Sequence, residues 1–397
     1  MPKLYILGEN SFLGSSFYIF LKKHKLYDIY LLSHNEYEKL INVQKEDIII
    51  NFCGVNRSDK QEDYEYGNYL FLKNILTHIT CKPFLIHVSS LMVYGFHNKN
   101  IDELNDYQKW FITTKLNGEE YLKNNYPIDK LSIVRPSNIY GYRCKPYYNN
   151  LLSTMIYEKI KNKNKINKIN RNCVRNMLSI DNFCKELLNI VQIKEFGIFN
   201  ILSQNNISLS DLSLKIYDNN IPENIALISG NDDIPNLDNV LIPGKNKIIY
   251  ENIDTEIKNL ETNMAVFLKL QDSISILNLQ VLSQPRGDMV EISSLESKRL
   301  YKITFTEHSV RGNHYHYEQI EEFYTNNGNI IYLLAYADFP DIILFHKSKQ
   351  NDLIKVLPNV IHTLCNDFLN NTPEIIIGST QKYIKDNVPD TKYINIV

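Results

Sequence analysis

Short apolar runs and helix-spaced apolar positions alternate along the N-terminal part of this chain. Leu4–Leu7 is a strand-like run, the turn Gly8-Glu-Asn-Ser11-Phe-Leu-Gly14 follows it, and Phe12, Leu13, Ser16, Phe17, Phe20 and Leu21 then recur at helical spacing. Asp28–Leu32 predicts a second strand. Asp47–Phe52 is almost continuously apolar, as a strand covered on both faces of a parallel sheet is. Asn68 is read as opening a helix that buries Tyr69, Leu72, Leu76 and Ile79. Phe84–Ser90, Leu131–Pro136, which Asn138–Gly141 follows, and Gly197–Ile201 supply further strands. Strands alternating with helices predict a Rossmann-like α/β fold with a doubly wound parallel sheet.

Past about residue 265 the period changes. Lys302–Phe305, Asn329–Leu334, Ile342–Phe345, Ile354–Leu357 and Glu374–Ile377 read as short strands, separated by Pro285-Arg286-Gly287, Asn326-Asn327-Gly328 and Pro340-Asp341. Short strands without helices predict an all-β sandwich or barrel. The expected division is therefore 1–265 for a dinucleotide-binding domain and 266–397 for a β domain, with 218–265 the least patterned stretch.

Composition narrows the function class. The chain has 397 residues, 44% of them hydrophobic, enough for two packed cores. A net charge of −2 argues against a nucleic-acid partner. No apolar run is long enough to span a bilayer and Met1–Leu13 lacks the features of a secretory signal, so no membrane association is expected. The 6 cysteines are scattered without a CxxC pair, which fits reduced thiols and a cytoplasmic location.

Two stretches carry chemistry. Strand, glycine-bearing turn and helix is the context of a dinucleotide fingerprint, in which helix-start amides meet the pyrophosphate and glycine permits close approach. Gly8, Ser11, Phe12 and Gly14 are thus candidate cofactor contacts, with Ser11 standing where a middle glycine is expected. Gly54, in Cys53-Gly-Val-Asn-Arg57 at the carboxyl end of a central strand, is another. After the second strand, Ser33-His34-Asn35 offers neither the acid that reads an NAD ribose nor the arginine that reads an NADP phosphate; His34 is the candidate there. In the β part, Gly312-Asn-His314-Tyr-His316-Tyr-Glu-Gln-Ile-Glu321 puts two histidines on one strand face, because side chains alternate. Glu321 opens the next strand, and Pro358-Asn-Val-Ile-His362 adds a third imidazole. Three imidazoles and a carboxylate suit zinc, iron, manganese or nickel; zinc is taken as the expected ion. His308, Tyr315 and Glu322 are nearby proton-handling candidates.

Gly8–Gly14, Cys53–Asn56, Ser89–Gly95 and Lys115 resemble an extended short-chain dehydrogenase, and Gly312–Gly328 with Pro358–Asn366 resembles the paired cupin motifs. In that order, with Gly54–Arg57, Gly67-Asn68, Arg135–Asn138, Gly141–Asn149, Arg286-Gly287 and Pro389–Thr391, the chain is similar to bifunctional capsular polysaccharide synthesis enzymes of the CapF type, from residue 4 to about residue 393. The resemblance implies a cupin (jelly-roll) domain that epimerises C3 of a UDP-2-acetamido-2,6-dideoxy-4-hexulose and a dehydrogenase domain that reduces its C4 ketone with NADP(H). A related branch reduces without epimerisation, towards N-acetyl-L-rhamnosamine. A homodimer is expected.

The resemblance also assigns the reaction centre: Ser90 holds the ketone oxygen and Lys115, which also contacts the cofactor, assists a tyrosine four residues before it. Phe111 stands in that place. Tyr107 lies one turn earlier, about 6 Å away along the helix. The second cupin motif is one residue short between Pro358 and His362 and lacks its glycine. Three readings follow: an NADP(H)-linked reductase joined to an epimerase-type cupin, a chain in which only the cupin turns over, and a sugar-nucleotide-binding scaffold.

Overall fold

The computed structural model describes residues 2–96, 104–163, 165–166, 168–223, 225–229, 245–284, 287–290, 292, 298–381 and 390–397. Pro285, Arg286 and Pro389, noted above, lie outside the described residues. The chain divides into two compact units, Met1–Phe20 with Leu32–Met264, and Leu21–Leu31 with Ala265–Val397.

A seven-stranded sheet organises the N-terminal part of the chain. Its strands are β1 (Lys3–Leu7), β2 (Asp28–Leu32), β3 (Ile48–Asn51), β4 (Phe84–Val88), β5 (Leu131–Pro136), β6 (Gly197–Ser203) and β7 (Lys245–Ile249), in the order β2-β1-β3-β4-β5-β6-β7. The pairings β1/β3, β3/β4, β4/β5, β5/β6 and β6/β7 are parallel. The isoleucine and leucine runs of β1, β3 and β4 are fully buried, as strands covered on both faces must be. The order reverses between β1 and β3, and in such sheets ligands bind outside the carboxyl ends at that switch point.

Two differences from the sequence expectation have physical causes. The helix expected to open at Asn68 begins at Gln61, and Tyr66–Leu70 is a π-helical turn inside the run that continues as Phe71–His78. A π turn inserts a residue and rotates the helix face by about 100°. The buried residues become Asn68, Phe71, Leu72 and Ile75, with Tyr69 and Leu76 half-buried. The weakly patterned 218–265 region contains β7 and the start of a 21-residue helix, Ile253–Ser273. The boundary expected at 265/266 falls inside this helix.

Helices α1 (Phe12–His24) and α2 (Asp106–Asn125) carry the candidate cofactor and reaction-centre residues. Asn105 caps α2 with a reciprocal capping box to Gln108. Gly118 lets α2 lie against the Asn68 backbone, where a Cβ would stand 2.4 Å from the Asn68 carbonyl oxygen. The same helix is tied to the sheet by Arg135 of β5, whose Nε donates to Glu119 Oε1 at 2.9 Å while Nη2 pairs with Oε2. Arg135 also donates to the Tyr94 hydroxyl, which donates to Asn200.

The second unit holds two five-stranded sheets. One runs β8 (Ser275–Asn278), β14 (Asp352–Val356), β11 (Glu321–Asn327), β16 (Glu374–Ser379), β9 (Arg299–Thr304). The other runs β13 (Phe339–Ser348), β12 (Ile330–Tyr336), β15 (Val360–Cys365), β10 (Val310–His316), β17 (Thr391–Tyr393). Their pairings are antiparallel, consistent with a cupin-like β domain. Asn359 has φ +63 and donates its amide to the His316 carbonyl at 2.7 Å. Asparagine tolerates that left-handed conformation, so the turn before β15 forms without the glycine missing from the second motif.

Removing the Glu119 carboxylate leaves Arg135 buried and unpaired, a loss of about 3–5 kcal/mol. Glu119→Ala is therefore expected to lower the urea midpoint of the first unit sharply. Fluorescence of Trp110, the single tryptophan, reads this transition.

Candidate functional site

Gly8 ends β1 with φ +86, and a Cβ there would crowd the Cys53 amide nitrogen at 3.1 Å. Gly14 sits in the first turn of α1, where a Cβ would stand 2.4 Å from the Gly8 carbonyl oxygen. Both positions need glycine because turn and helix approach so closely. Ser11 takes a different role from the glycine it replaces: its hydroxyl accepts the Gly14 amide at 2.9 Å, an N-cap for α1. The result is a tight strand–turn–helix cradle of the shape that admits a pyrophosphate. His34 is exposed in the loop after β2. Glu36 folds back there to accept the Ser33 amide at 3.0 Å and pairs with Lys39, an acid the sequence reading passed over because it stands three residues late.

A cavity of about 720 Å³ opens beside this cradle. Phe12 and Leu13 line it together with Ser89, Ser90, Phe111 and Tyr107, and it takes in the cations Arg57 and Arg175. The structure thus brings both serines of the pair to one wall with Phe111. Ser90 Oγ accepts the Met92 amide at 3.2 Å, whereas Ser89 Oγ is buried with no hydrogen-bond partner among the described residues. Ser89 was not singled out from the sequence, where adjacent serines look alike. Arg175 was missed as well, because it lies far along the chain on the strand Val174–Ser179. Tyr107 is 51% exposed, its ring 5.6 Å from that of Trp110.

Phe111 packs with Tyr64, Leu104 and Ile112 in an apolar cluster. Lys115, one turn on, is 4% exposed. Its Nζ is 5.9 Å from the Phe111 ring centre and would lie 2.6 Å from a Cβ on Gly54. Gly54 is therefore needed to leave room for the ammonium. Burial pushes the Lys115 amine down to about 8, against the pull of Glu119 and Cys53. Burial, then the charge of Lys115, pushes His87 down to about 3, so this imidazole is neutral; burial pushes the Cys53 thiol up. Asn68 fixes the Gly54 loop, accepting the Val55 amide at 2.9 Å and donating to Thr114 Oγ1 of α2 at 3.1 Å.

In the second unit, His314, His316, Glu321 and His362 converge, each offering one donor atom, all within 4.8 Å of one another. His314 of β10 is paired directly with His362 of β15. Their Nε2 atoms are 3.0 Å apart, and Glu321 Oε2 is 3.2 Å from His362 Nε2 and 3.5 Å from His316 Nε2. A tetrahedral ion with bonds of about 2.1 Å sets its ligands about 3.4 Å apart, so the donors fit a divalent metal. Nδ1 of His316 lies 3.0 Å from Thr391 Oγ1, and Nδ1 of His362 lies 3.3 Å from the Val360 carbonyl oxygen. Donation from each Nδ1 leaves Nε2 free to ligate. Burial, then His362, pushes His314 down to about 4, and its Nδ1 is buried without a partner. Burial alone would raise Glu321; hydrogen bonds from His316 and His362 override it and hold the carboxyl well below the usual carboxylate range.

Tyr315 and Glu322 alternate with the donor residues and so face away from the group. Tyr315 donates to the Tyr317 hydroxyl at 3.2 Å, and His308 contacts Asp367 at 3.1 Å. None of these three candidates joins the four donors.

Fold and site define a Rossmann-like α/β unit with a cavity beside its glycine-bearing turn, followed by a β unit with a metal-type donor group. Residues 5–201 match the family described as the NAD dependent epimerase/dehydratase family. No curated protein sequence matches the chain. Among solved structures, the dTDP-4-dehydrorhamnose reductase of Yersinia enterocolitica aligns at 17% identity and TM-score 0.50, covering 66% of this chain and 100% of that one; it shares the fold of the first unit. The capsular polysaccharide assembling protein CapF of Staphylococcus aureus aligns at 17% identity over 99% of each chain, with TM-score 0.43. A sugar 3,4-ketoisomerase of Thermoanaerobacterium thermosaccharolyticum, QdtA, in complex with TDP, aligns at 17% identity and TM-score 0.26, covering 30% of this chain and 87% of that one. No helix among the described residues is long and apolar enough to cross a membrane.

His316→Ala is expected to strip most bound divalent metal from the purified protein, read by elemental analysis. Thr391→Val, which removes only the group orienting His316, is expected to weaken metal binding by about 10–100-fold in a chelator competition.

Proposed function

We propose that the chain is a cytoplasmic sugar-nucleotide enzyme. Its first unit reduces the C4 ketone of a UDP-2-acetamido-2,6-dideoxy-4-hexulose, with NADPH as reductant, and its second unit acts as a C3 epimerase for surface polysaccharide synthesis. The observation that carries this reading is the cavity on which the serine pair and Phe111 meet beside the Gly8–Gly14 cradle, with the amine of Lys115 one turn behind. A nicotinamide dinucleotide whose pyrophosphate that cradle holds would supply the hydride. The Ser89 hydroxyl, free of internal bonds, orients the ketone oxygen with Ser90. Arg57 and Arg175 give the cavity the positive charge that a diphosphate requires. In the second unit, a divalent ion held by His314, His316, Glu321 and His362 would polarise the sugar carbonyl and so ease removal of the neighbouring proton. The homodimer implied by the resemblance is part of the same proposal.

Phe111 favours a second reading, in which only the second unit turns over, because phenylalanine has no proton to give. Incubation with the UDP-hexulose and NADPH, following cofactor absorbance together with exchange of the C3 proton, separates the two. Oxidation of NADPH supports the first; exchange without oxidation supports the second. Nucleotide binding with neither marks a scaffold.

Phe111→Tyr restores a positioned hydroxyl beside Lys115 and is expected to raise C4 reduction by about 10²–10⁴-fold. No change in rate, in a protein that still binds NADPH by calorimetry, would show that the hydroxyl is not what the centre lacks. Gly8→Val is expected to abolish that binding.

A further inference from the structure

Proton supply is the step for which the centre has no tyrosine. Of the tyrosines lining the cavity, Tyr64 has its hydroxyl engaged by the Ser58 amide at 3.0 Å and the Asn56 carbonyl at 3.4 Å. Tyr107 is half exposed, and Tyr148, the third, is half-buried with Lys145 Nζ 5.3 Å from its ring. The group enclosed directly behind Phe111 is Lys115, an ammonium that makes no hydrogen bond or ion pair among the described residues. A buried amine without a partner is costly, and the charge that stabilises it, at a distance, is that of Glu119.

We propose, resting on the reductase reading above, that Lys115 is itself the acid of the reduction, passing its proton to the sugar C4 oxygen through a water that takes the place of the absent phenol hydroxyl. The carbonyl carbon accepts a hydride from the reduced nicotinamide, and the carbonyl π pair moves onto oxygen. That oxygen takes a proton from the water, the water is refilled from the Lys115 ammonium, and the neutral amine recovers its proton from solvent. The sugar is reduced, the nicotinamide is oxidised, and one proton is consumed.

The surroundings support an acid of this kind. The titratable groups around the amine are Glu119 one turn on, Cys53 after β3 and His87 of β4. His87 is neutral and the Cys53 thiol stays protonated, so Glu119 is the one ionised neighbour, and it is already held by Arg135. The burial that brings Lys115 down to about 8 leaves it charged at neutral pH yet a far better donor than an exposed lysine. The donor form is fully present below that value and is lost as pH rises through it.

The test uses the full-length protein. The 13Cε resonance of Lys115, assigned by its absence in Lys115→Met, is titrated without cofactor and is expected to have a midpoint near 8. Single-turnover reduction of the UDP-hexulose by NADPH is expected to fall tenfold per pH unit above the midpoint found when the titration is repeated with the oxidised cofactor bound. Lys115→Ala, at an NADPH concentration shown by calorimetry to saturate it, is expected to lose about 10²–10⁴-fold in rate and to be restored by methylamine or ammonium. A rate that stays level while Lys115 titrates overturns the proposal. So does a failure of amines to restore a cofactor-bound Lys115→Ala protein, or loss of reduction in Tyr107→Phe or Tyr148→Phe. Phe111→Tyr serves as the control. If it reduces the ketone while the unmodified protein shows no dependence on Lys115 charge, the reductase reading stands and the lysine acid falls; if neither protein reduces the ketone, both fall.

Discussion

The first unit is organised around the burial of one positive charge. Lys115 of α2 is buried, its ammonium beside Gly54 after β3 and near His87 of β4, and everything near it bears on the cost of keeping it there. Gly54 withdraws its side chain to leave the ammonium space, and Gly118 lets α2 come down onto the Asn68 backbone. Arg135 neutralises Glu119, so the carboxylate one turn from Lys115 is itself compensated and cannot simply cancel the amine. A single buried ion without a close partner is otherwise rare in a stable fold. Its presence beside an open cavity is the mark of a position kept for chemistry instead of packing.

Phe111 acquires its meaning from that charge. Its ring closes the apolar cluster with Tyr64, Leu104 and Ile112 and also faces the cavity. A benzene ring fills nearly the same space as a phenol, so the helix, the lysine and the serine pair keep their places around Phe111. The preserved geometry and the missing hydroxyl are therefore compatible facts, one set by packing and the other by chemistry.

The second unit depends on strand alternation instead of a buried charge. His314 and His316 share a face because they are two apart on β10, and direct pairing of His314 with His362 brings the third imidazole across the ladder. Glu321 then closes the group as the first residue of the following strand. Four donors this close, with lone pairs turned towards one another, repel unless a proton or a cation lies among them. Thr391 and the Val360 carbonyl orient two of the rings from behind, so the group is pre-arranged by ordinary β-sheet hydrogen bonding.

Local pattern was enough for much of this. The alternation of apolar runs and helix-spaced positions determined the doubly wound sheet, and the change of period determined the β part, because those periods are the side-chain geometry of helix and strand. The histidine pair with its glutamate was legible for the same reason. What the sequence could not carry is anything that depends on phase or on distant partners. The π turn at Tyr66–Leu70 rotated a helix face by one residue, exchanging Tyr69 and Leu76 for Asn68 and Ile75. Asn359 replaced a glycine by adopting its conformation, which no letter announces. Ser89 and Ser90 are equivalent as letters, and only folding decided that one hydroxyl caps the following turn while the other is left without a partner. Arg175 and Arg57 reach one cavity from distant segments, and the pairing of Arg135 with Glu119 joins a strand to a helix. Electrostatics and desolvation act through space, so the acidity of Lys115 was settled by tertiary structure alone.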